Sequence, residues 1–210
     1  MVSESAVVIT GSAGGIGQAL VQAFAAEGYH VIGLDHGPTA HAARSVEFDL
    51  ERLGTDDAAV EELGNTLDAA LEGRFLSALV NNAATQILGS VEDLSIADFR
   101  ATLDVNLLSP FALVKLCLGH LKAAQGAVIN IGSIHAKLTK PRFSAYAASK
   151  GGLESLNRAL AVELGSTVRV NAISPAAVET PMLHDGFASV PEAYRDLAQC
   201  HPSGRIARPD

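Results

Sequence analysis

The chain has 210 residues, 48% of them hydrophobic and only 5% aromatic, with no Trp. That length suits one α/β domain spanning 1–210, with a core built from Ala, Val, Leu and Ile, the composition of a parallel sheet clad in helices. A net charge of −8 with no Lys/Arg-rich run leaves no electrostatic footprint for a nucleic-acid backbone or an anionic membrane, so neither is expected as a partner.

Cys117 and Cys200 lie far apart and match no metal-ligand spacing, so no metal site is expected. Two thiols do not make a disulfide scaffold. They read as free thiols of a reducing compartment, and the expected location is cytoplasmic. Met1 to Ala6 is polar and acidic, without the basic start or apolar stretch of a signal peptide. No segment is expected to supply the ~18–20 continuous apolar residues of a membrane span.

In chain order, the first strand, Val7–Thr10, runs into Thr10-Gly11-Ser12-Ala13-Gly14-Gly15-Ile16-Gly17, which opens a helix over Gly15–Glu27. Glycines there permit a tight turn, close approach of a pyrophosphate to the backbone, and helix-on-strand packing. The helix N-terminus offers free N–H groups and partial positive charge to phosphates. A glycine-rich turn alone is weak evidence; its place between strand and helix is the context that a dinucleotide site requires. A second strand, His30–Leu34, ends at Asp35, about twenty residues beyond the loop, where a carboxylate can accept hydrogen bonds from the adenosine ribose. The same charge would repel the extra phosphate of NADP, and Ser12, Ala13 and Gly14 supply no cation to offset it, so NAD is the expected cofactor. The alternative for Asp35 is a solvated residue opening the turn Asp35-His36-Gly37-Pro38.

The remaining strands are predicted at Val46–Phe48, Ala78–Asn81, Ala127–Ile131 and Val168–Ile173. Six strands joined by helical crossovers give a doubly wound parallel sheet, helices on both faces, of the Rossmann type. Two helices, Ala101–Ala124 and Ala145–Leu164, are apolar over most of their circumference, which points to burial on most sides. Packing against another subunit is expected, giving a homodimer or homotetramer through these helices; the alternative is a thick monomer core. If the first is continuously α-helical, Pro110 leaves the Asn106 carbonyl without its N–H partner, free to hold a water.

The spacing Thr-Gly-x-x-x-Gly-x-Gly at Thr10–Gly17 resembles the short-chain dehydrogenase/reductase family, and further residues resemble it at the expected intervals. They are Asn81-Asn82-Ala83-Ala84, Asn106, Ser133, Tyr146-Ala-Ala-Ser-Lys150, and Ser174-Pro175-Ala176 with Thr180. The likeness runs from Val7 to about Arg208. It implies that Tyr146 transfers the proton of an alcohol or ketone, that Ser133 orients the reacting oxygen, that Lys150 also binds the nicotinamide ribose, and that Asn106 supports a proton-carrying water chain. It further implies cofactor contacts from Gly11, Ser12, Gly15, Ile16, Gly17, Asp35, Asp49, Leu50, Asn82, Ala83, Pro175, Val178 and Thr180. Tyr and Lys four apart share one helix face, so an ammonium beside the phenol is expected to lower its pKa toward working pH. Taken singly, Tyr146, Ser133 and Lys150 are as well explained by a core ring, a turn residue and a solvated charge; their joint appearance with the glycine loop favours a site.

Two departures from the family pattern stand out. Ala84 and Ala176 replace the usual glycines and would be strained if the backbone there had positive φ. The sequence also stops at Asp210, where the family pattern continues through another helix and a seventh strand, so Val168–Ile173 is expected as an uncovered apolar edge. The expected function is hydride transfer between NAD(H) and a secondary alcohol or ketone of small to medium size, with the region 182–200 shaping the substrate pocket. The alternative is a sensor or interaction protein that binds NAD on the same fold without turnover.

Overall fold

Along the strand Ser5–Thr10 (β1) the apolar side chains alternate faces, and both faces are covered. Ala6 and Val8 enter one core cluster, Val7 and Ile9 the other, as the two-residue period of a strand requires. The computed structural model describes residues 4–187 and 191–210. Its strands are β1, His30–Asp35 (β2), Arg44–Glu47 (β3), Phe75–Asn81 (β4), Ala127–Ile131 (β5) and Arg169–Ile173 (β6). They form one parallel sheet in the order β3-β2-β1-β4-β5-β6. The order reverses direction beside β1, and ligands of such sheets lie beyond the strand C-termini at that crevice.

The helices are Gly15–Ala26 (α1), Asp57–Leu71 (α2), Ile96–Leu103 (α3), Ser109–Ala123 (α4), Ser144–Leu164 (α5), Pro181–Phe187 (α6) and Pro191–Leu197 (α7). One face of the sheet is covered by α2, α4 and α5, whose Leu63, Leu67, Leu113, Leu121 and Leu160 pack with Val8, Ile32 and Leu79. The other carries α1, with Val21 and Phe24 against Val7 and Val31. Each fully buried Leu or Ile in these layers contributes about 1.5–3 kcal/mol relative to exposure.

Three expectations need correction. The third strand begins and ends earlier than Val46–Phe48, because the exposed edge tolerates Arg44 and Ser45; Phe48 has left the strand but still donates its N–H to the Asp35 carbonyl at 2.9 Å. The helix expected over Ala101–Ala124 is not continuously α-helical: Asp104–Leu108 forms a π turn in which Ser109 N–H reaches back five residues to the Asp104 carbonyl. The Val105 carbonyl, five residues before Pro110, accepts the Ser109 hydroxyl at 2.7 Å. Finally, the stretch Ile96–Ala123, 28 residues long, contains an 18-residue window of mean hydropathy 1.4 and is long and apolar enough to cross a membrane, although no such segment was expected from continuous apolar runs. In the fold its inner residues Leu113, Val114, Cys117 and Leu121 are buried in the core.

At the other edge, among the described residues, β6 is paired only with β5. Among its residues only Val170 is buried, and Ile173 is 57% exposed, so the expected open edge is present.

Candidate active site

The floor of the site is the turn after β1. Gly11 has φ of 61°, and a Cβ there would lie 2.7 Å from Ala83 Cα. A Cβ on Gly17 would fall 1.9 Å from the Gly11 carbonyl oxygen, so the first turn of α1 closes onto the loop only with glycine. Gly14 is the N-cap of α1 and offers no side chain to its orphan N–H groups, which leaves them for an anionic ligand. Thr10 ties this turn to the end of β4. Its hydroxyl accepts the N–H groups of Asn82 (3.0 Å) and Ala83 (2.9 Å) and donates to the Val80 carbonyl at 3.4 Å. The Asn82 Nδ2 donates to the carbonyls of Thr10 and Gly11, both at 3.0 Å.

Two carboxylates stand at one end of the cleft. Asp35 accepts Ala13 N–H at 2.8 Å and His36 N–H at 2.7 Å. Asp49 accepts Glu51 N–H at 3.0 Å and so caps the short 3-10 helix that begins at Leu50. Ser12 turns the other way: fully buried, its hydroxyl pairs with Thr39 Oγ1 at 2.5 Å. Gly33 makes room for that pair, since a Cβ there would lie 2.8 Å from Ser12 Oγ.

At the other end, β5 delivers Ser133 and α5 delivers Tyr146 and Lys150, one helical turn apart and all buried. Lys150 Nζ donates to the Ile131 carbonyl at 2.8 Å and lies 5.7 Å from the centroid of the Tyr146 ring. The expected lowering of the tyrosine pKa is not found. Burial pushes the Tyr146 phenol above its ordinary value, and only a hydrogen bond with Ser133 pulls it down. Lys150 is buried as well, which pushes its ammonium down to about 8, and its proton is directed at a carbonyl. Desolvation disfavours the charged form of both groups.

Asn106 lies behind this end, fully buried in the π turn. Its Oδ1 accepts Thr85 N–H at 2.8 Å, and its Nδ2 donates to the Thr85 carbonyl (2.9 Å) and the Ser149 hydroxyl (3.0 Å). The Ser149 hydroxyl in turn donates to the Tyr146 carbonyl at 2.8 Å. The side chain therefore clamps the segment after β4 to the first turns of α5.

The roof comes from the segment after β6. Pro175 accepts Ile134 N–H at 3.0 Å, Thr180 Oγ1 accepts Leu183 N–H at 3.3 Å, and Glu179 N–H donates to the Ala207 carbonyl at 2.8 Å. Ala84 and Ala176 do not have positive φ, so alanine is unstrained at both. Of the region 182–200 expected to shape the pocket, residues 188–190 lie outside the described ones.

These parts enclose a cleft of about 1090 Å³, just above the usual range for small-molecule sites. Gly11, Gly15, Ile16, Asp35, Asp49, Leu50, Asn82, Ala83, Ser133, Tyr146, Lys150, Pro175, Val178 and Thr180 line it; Ser12, Gly17 and Asn106 stand behind its wall. The sequence reading missed Thr10 as the hydroxyl that joins the two loops, though it heads the glycine motif. It also missed Gln86, Lys140 and Phe143 in the wall, for which no local spacing gave a signal. Among the described residues no cluster of His, Cys, Asp and Glu could hold a metal. The donor set fits a dinucleotide: a glycine-rich turn and uncapped helix N-terminus for phosphates, a carboxylate 2.8 Å from that turn for a ribose, and an ammonium beside a phenol at the far end.

Residues 5–190 match the family model described as short chain dehydrogenase. The chain is 33% identical over 215 residues to a 3β-hydroxysteroid dehydrogenase 1 of Eggerthella lenta, covering 97% of this chain and 82% of that protein. Among solved structures, a 4-hydroxyisoleucine dehydrogenase in complex with NADH superposes with a TM-score of 0.82 at 29% identity, over 98% of this chain and 85% of that one. A structure from Beutenbergia cavernae described as an NAD(P)-dependent gluconate 5-dehydrogenase, with NADP at low occupancy, gives a TM-score of 0.86 at 29% identity, over 98% and 84%.

Proposed function

The chain belongs to the short-chain dehydrogenase family and is an oxidoreductase acting on hydroxyl groups, and from that premise we propose that it moves a hydride between NAD(H) and a secondary alcohol or ketone. The observation that carries this is the enclosure of the glycine turn, Asp35, Ser133, Tyr146 and Lys150 in one cleft at the C-terminal ends of the strands. The nicotinamide, when bound, supplies the site that accepts or returns the hydride. Gly11, Gly15 and Ile16 hold the phosphates, and Asp35 takes the adenosine ribose hydroxyls and repels a 2′-phosphate, which favours NAD over NADP.

Ser133 donates to the reacting oxygen and fixes its orientation beside Tyr146. Tyr146 returns a proton to the oxygen in ketone reduction and takes one from the alcohol in oxidation. Lys150, whose hydrogen bond to Ile131 holds it beside the Tyr146 ring, would bind the nicotinamide ribose hydroxyls. Asn106 acts at one remove, by fixing Thr85 and, through Ser149, the Tyr146 turn. Two free thiols, Cys117 buried and Cys200 exposed, accord with a reducing, cytoplasmic setting. Leu108, Phe111 and Val162, exposed by 38%, 45% and 88% on the two long helices, accord with pairing of two copies, which light scattering would detect.

The test is to mix the protein with NAD and a panel of secondary alcohols and follow the absorbance of reduced nicotinamide. Growth of that band with at least one alcohol is the expected result. A flat trace across the panel, with NAD shown to be bound, would leave a cofactor-binding protein without turnover.

A further inference from the structure

Resting on the dehydrogenase reading above, we propose that the substrate end of the cleft recognises a hydroxy acid, and the keto acid it becomes, by pairing the carboxylate with the ammonium of Lys140. Lys140 lies in the connection between β5 and α5 and lines the cleft. Its Nζ sits 4.7 Å from the centroid of Phe143 and 4.6 Å from that of Phe187. Phe143 is the N-cap of α5 and Phe187 the last residue of α6, so the ammonium is held where two separate elements meet. Aromatic faces attract a cation and restrain a side chain that would otherwise sample many rotamers. Phe143 is also the step to the reacting centre, its ring centroid being 6.2 Å from that of Tyr146. The cation therefore lies one aromatic ring away from the proton-transfer residue, within the span of a small substrate.

The charges along the cleft point the same way. Its acidic lining residues, Asp35, Asp49 and Glu51, all lie at the adenosine end. At the substrate end no carboxylate lines the wall among the described residues, and the cations there are Lys140 and Lys150. Lys150 already donates to Ile131. Among the described residues Lys140, exposed to solvent, has ring partners but no anionic one, and what burial it has lowers its pKa with no carboxylate to raise it again. His135, stacked on Phe143 at 4.4 Å, is held below its ordinary pKa by burial and by Lys140 and adds a neutral ring rather than a second charge. With Lys150 committed to Ile131, the single ammonium of Lys140 suits a carboxylate better than a phosphate dianion. The carboxylate takes no part in the bond changes: the carbinol carbon still gives up its hydride to NAD, and the O–H proton still goes to Tyr146.

The test pairs secondary hydroxy acids of graded chain length with their methyl esters, in the presence of NAD, and reads the ester-to-acid ratio of KM. The wild type is expected to show a ratio of about ten or more for at least one chain length, K140M a ratio near one, and K140R most of the wild-type ratio, as a charge-assisted contact implies. Equal KM values for acid and ester in the wild type overturn the proposal, and so does an unchanged ratio in K140M. Oxidation of neutral alcohols without acid preference would sink this proposal and leave the dehydrogenase reading intact. If no compound is oxidised, the dehydrogenase reading fails instead, and calorimetric titration of acid and ester into the NADH-loaded protein decides the point. Tighter binding of the acid that disappears in K140M supports Lys140, and equal binding overturns it.

Discussion

The Asp35 carboxylate accepts the backbone N–H of Ala13 at 2.8 Å, so the end of β2 and the phosphate-binding turn are joined through a fixed negative charge. Its second oxygen accepts the N–H of His36, which leaves little freedom to swing away from a phosphate on the ribose. Substituting Asp35→Ser removes the repulsion and keeps a small acceptor. The ratio of kcat/KM for NAD over NADP is then expected to fall by about tenfold or more, as removal of one nearby charge implies. A ratio unchanged in D35S would mean that the preference is set elsewhere.

Asn82 serves the cofactor indirectly in this geometry, because its Nδ2 is already committed to the carbonyls of Thr10 and Gly11. The variant Asn82→Ala leaves both carbonyls without that donor next to a Gly11 of positive φ. A loss of about 1–3 kcal/mol in denaturant unfolding is expected, the cost of partly buried groups left unpaired, together with weaker NADH binding in a fluorescence titration. Full stability in N82A would show that water or another donor takes over.

Lys150 is a liability for stability and a requirement for chemistry. Its folded pKa, about 8, lies below the ordinary 10.5. Between those values the unfolded chain binds a proton that the folded protein does not, so stability rises with pH across that window, and the burial penalty is fully present below it. The difference in unfolding free energy between wild type and Lys150→Met should therefore shift toward the wild type by on the order of 2–3 kcal/mol from pH 7.5 to pH 10.5. Paired denaturant titrations of the cofactor-free proteins at the two pH values measure it. A difference independent of pH would mean that the buried amine keeps its ordinary pKa.

Much of this was legible in the residues. Runs such as Val7–Thr10 and Ala127–Ile131 are short, β-branched and bounded by turn formers, so the strands, their parallel order and the doubly wound sheet follow from pattern alone. The glycine turn and the Tyr146–Lys150 spacing were legible for the same reason, since each is a local spacing with a geometric meaning. What could not be read depends on burial or on distant partners. The π turn at Asp104–Leu108 alters the hydrogen-bond register without a marker in composition, so the continuous α-helix assumed there is not found. The upward shift of Tyr146 comes from desolvation, which a spacing of four residues cannot report. Ser12 looked like a loop residue facing a ligand until Gly33 opened the space that turns it toward Thr39. The Lys140 cage unites Phe143 and Phe187, which no period in the sequence links.

Because burial holds the Tyr146 phenol above its ordinary value, the neutral phenol prevails at neutral pH. Alcohol oxidation, which needs the phenolate, should accelerate as pH rises, whereas ketone reduction, which needs the phenol, should slow on the alkaline side. Profiles of kcat/KM in both directions check the sign; oxidation that declines from pH 7 to pH 9 would contradict it.

The most direct measurement is steady-state turnover and NAD affinity of Tyr146→Phe beside the wild type, with an alcohol from the panel that supports NAD reduction. Loss of the hydroxyl that carries the proton should lower kcat by about 10²–10⁴ while the NAD dissociation constant stays within about twofold. Turnover near the wild-type level in Y146F would remove Tyr146 from the chemistry.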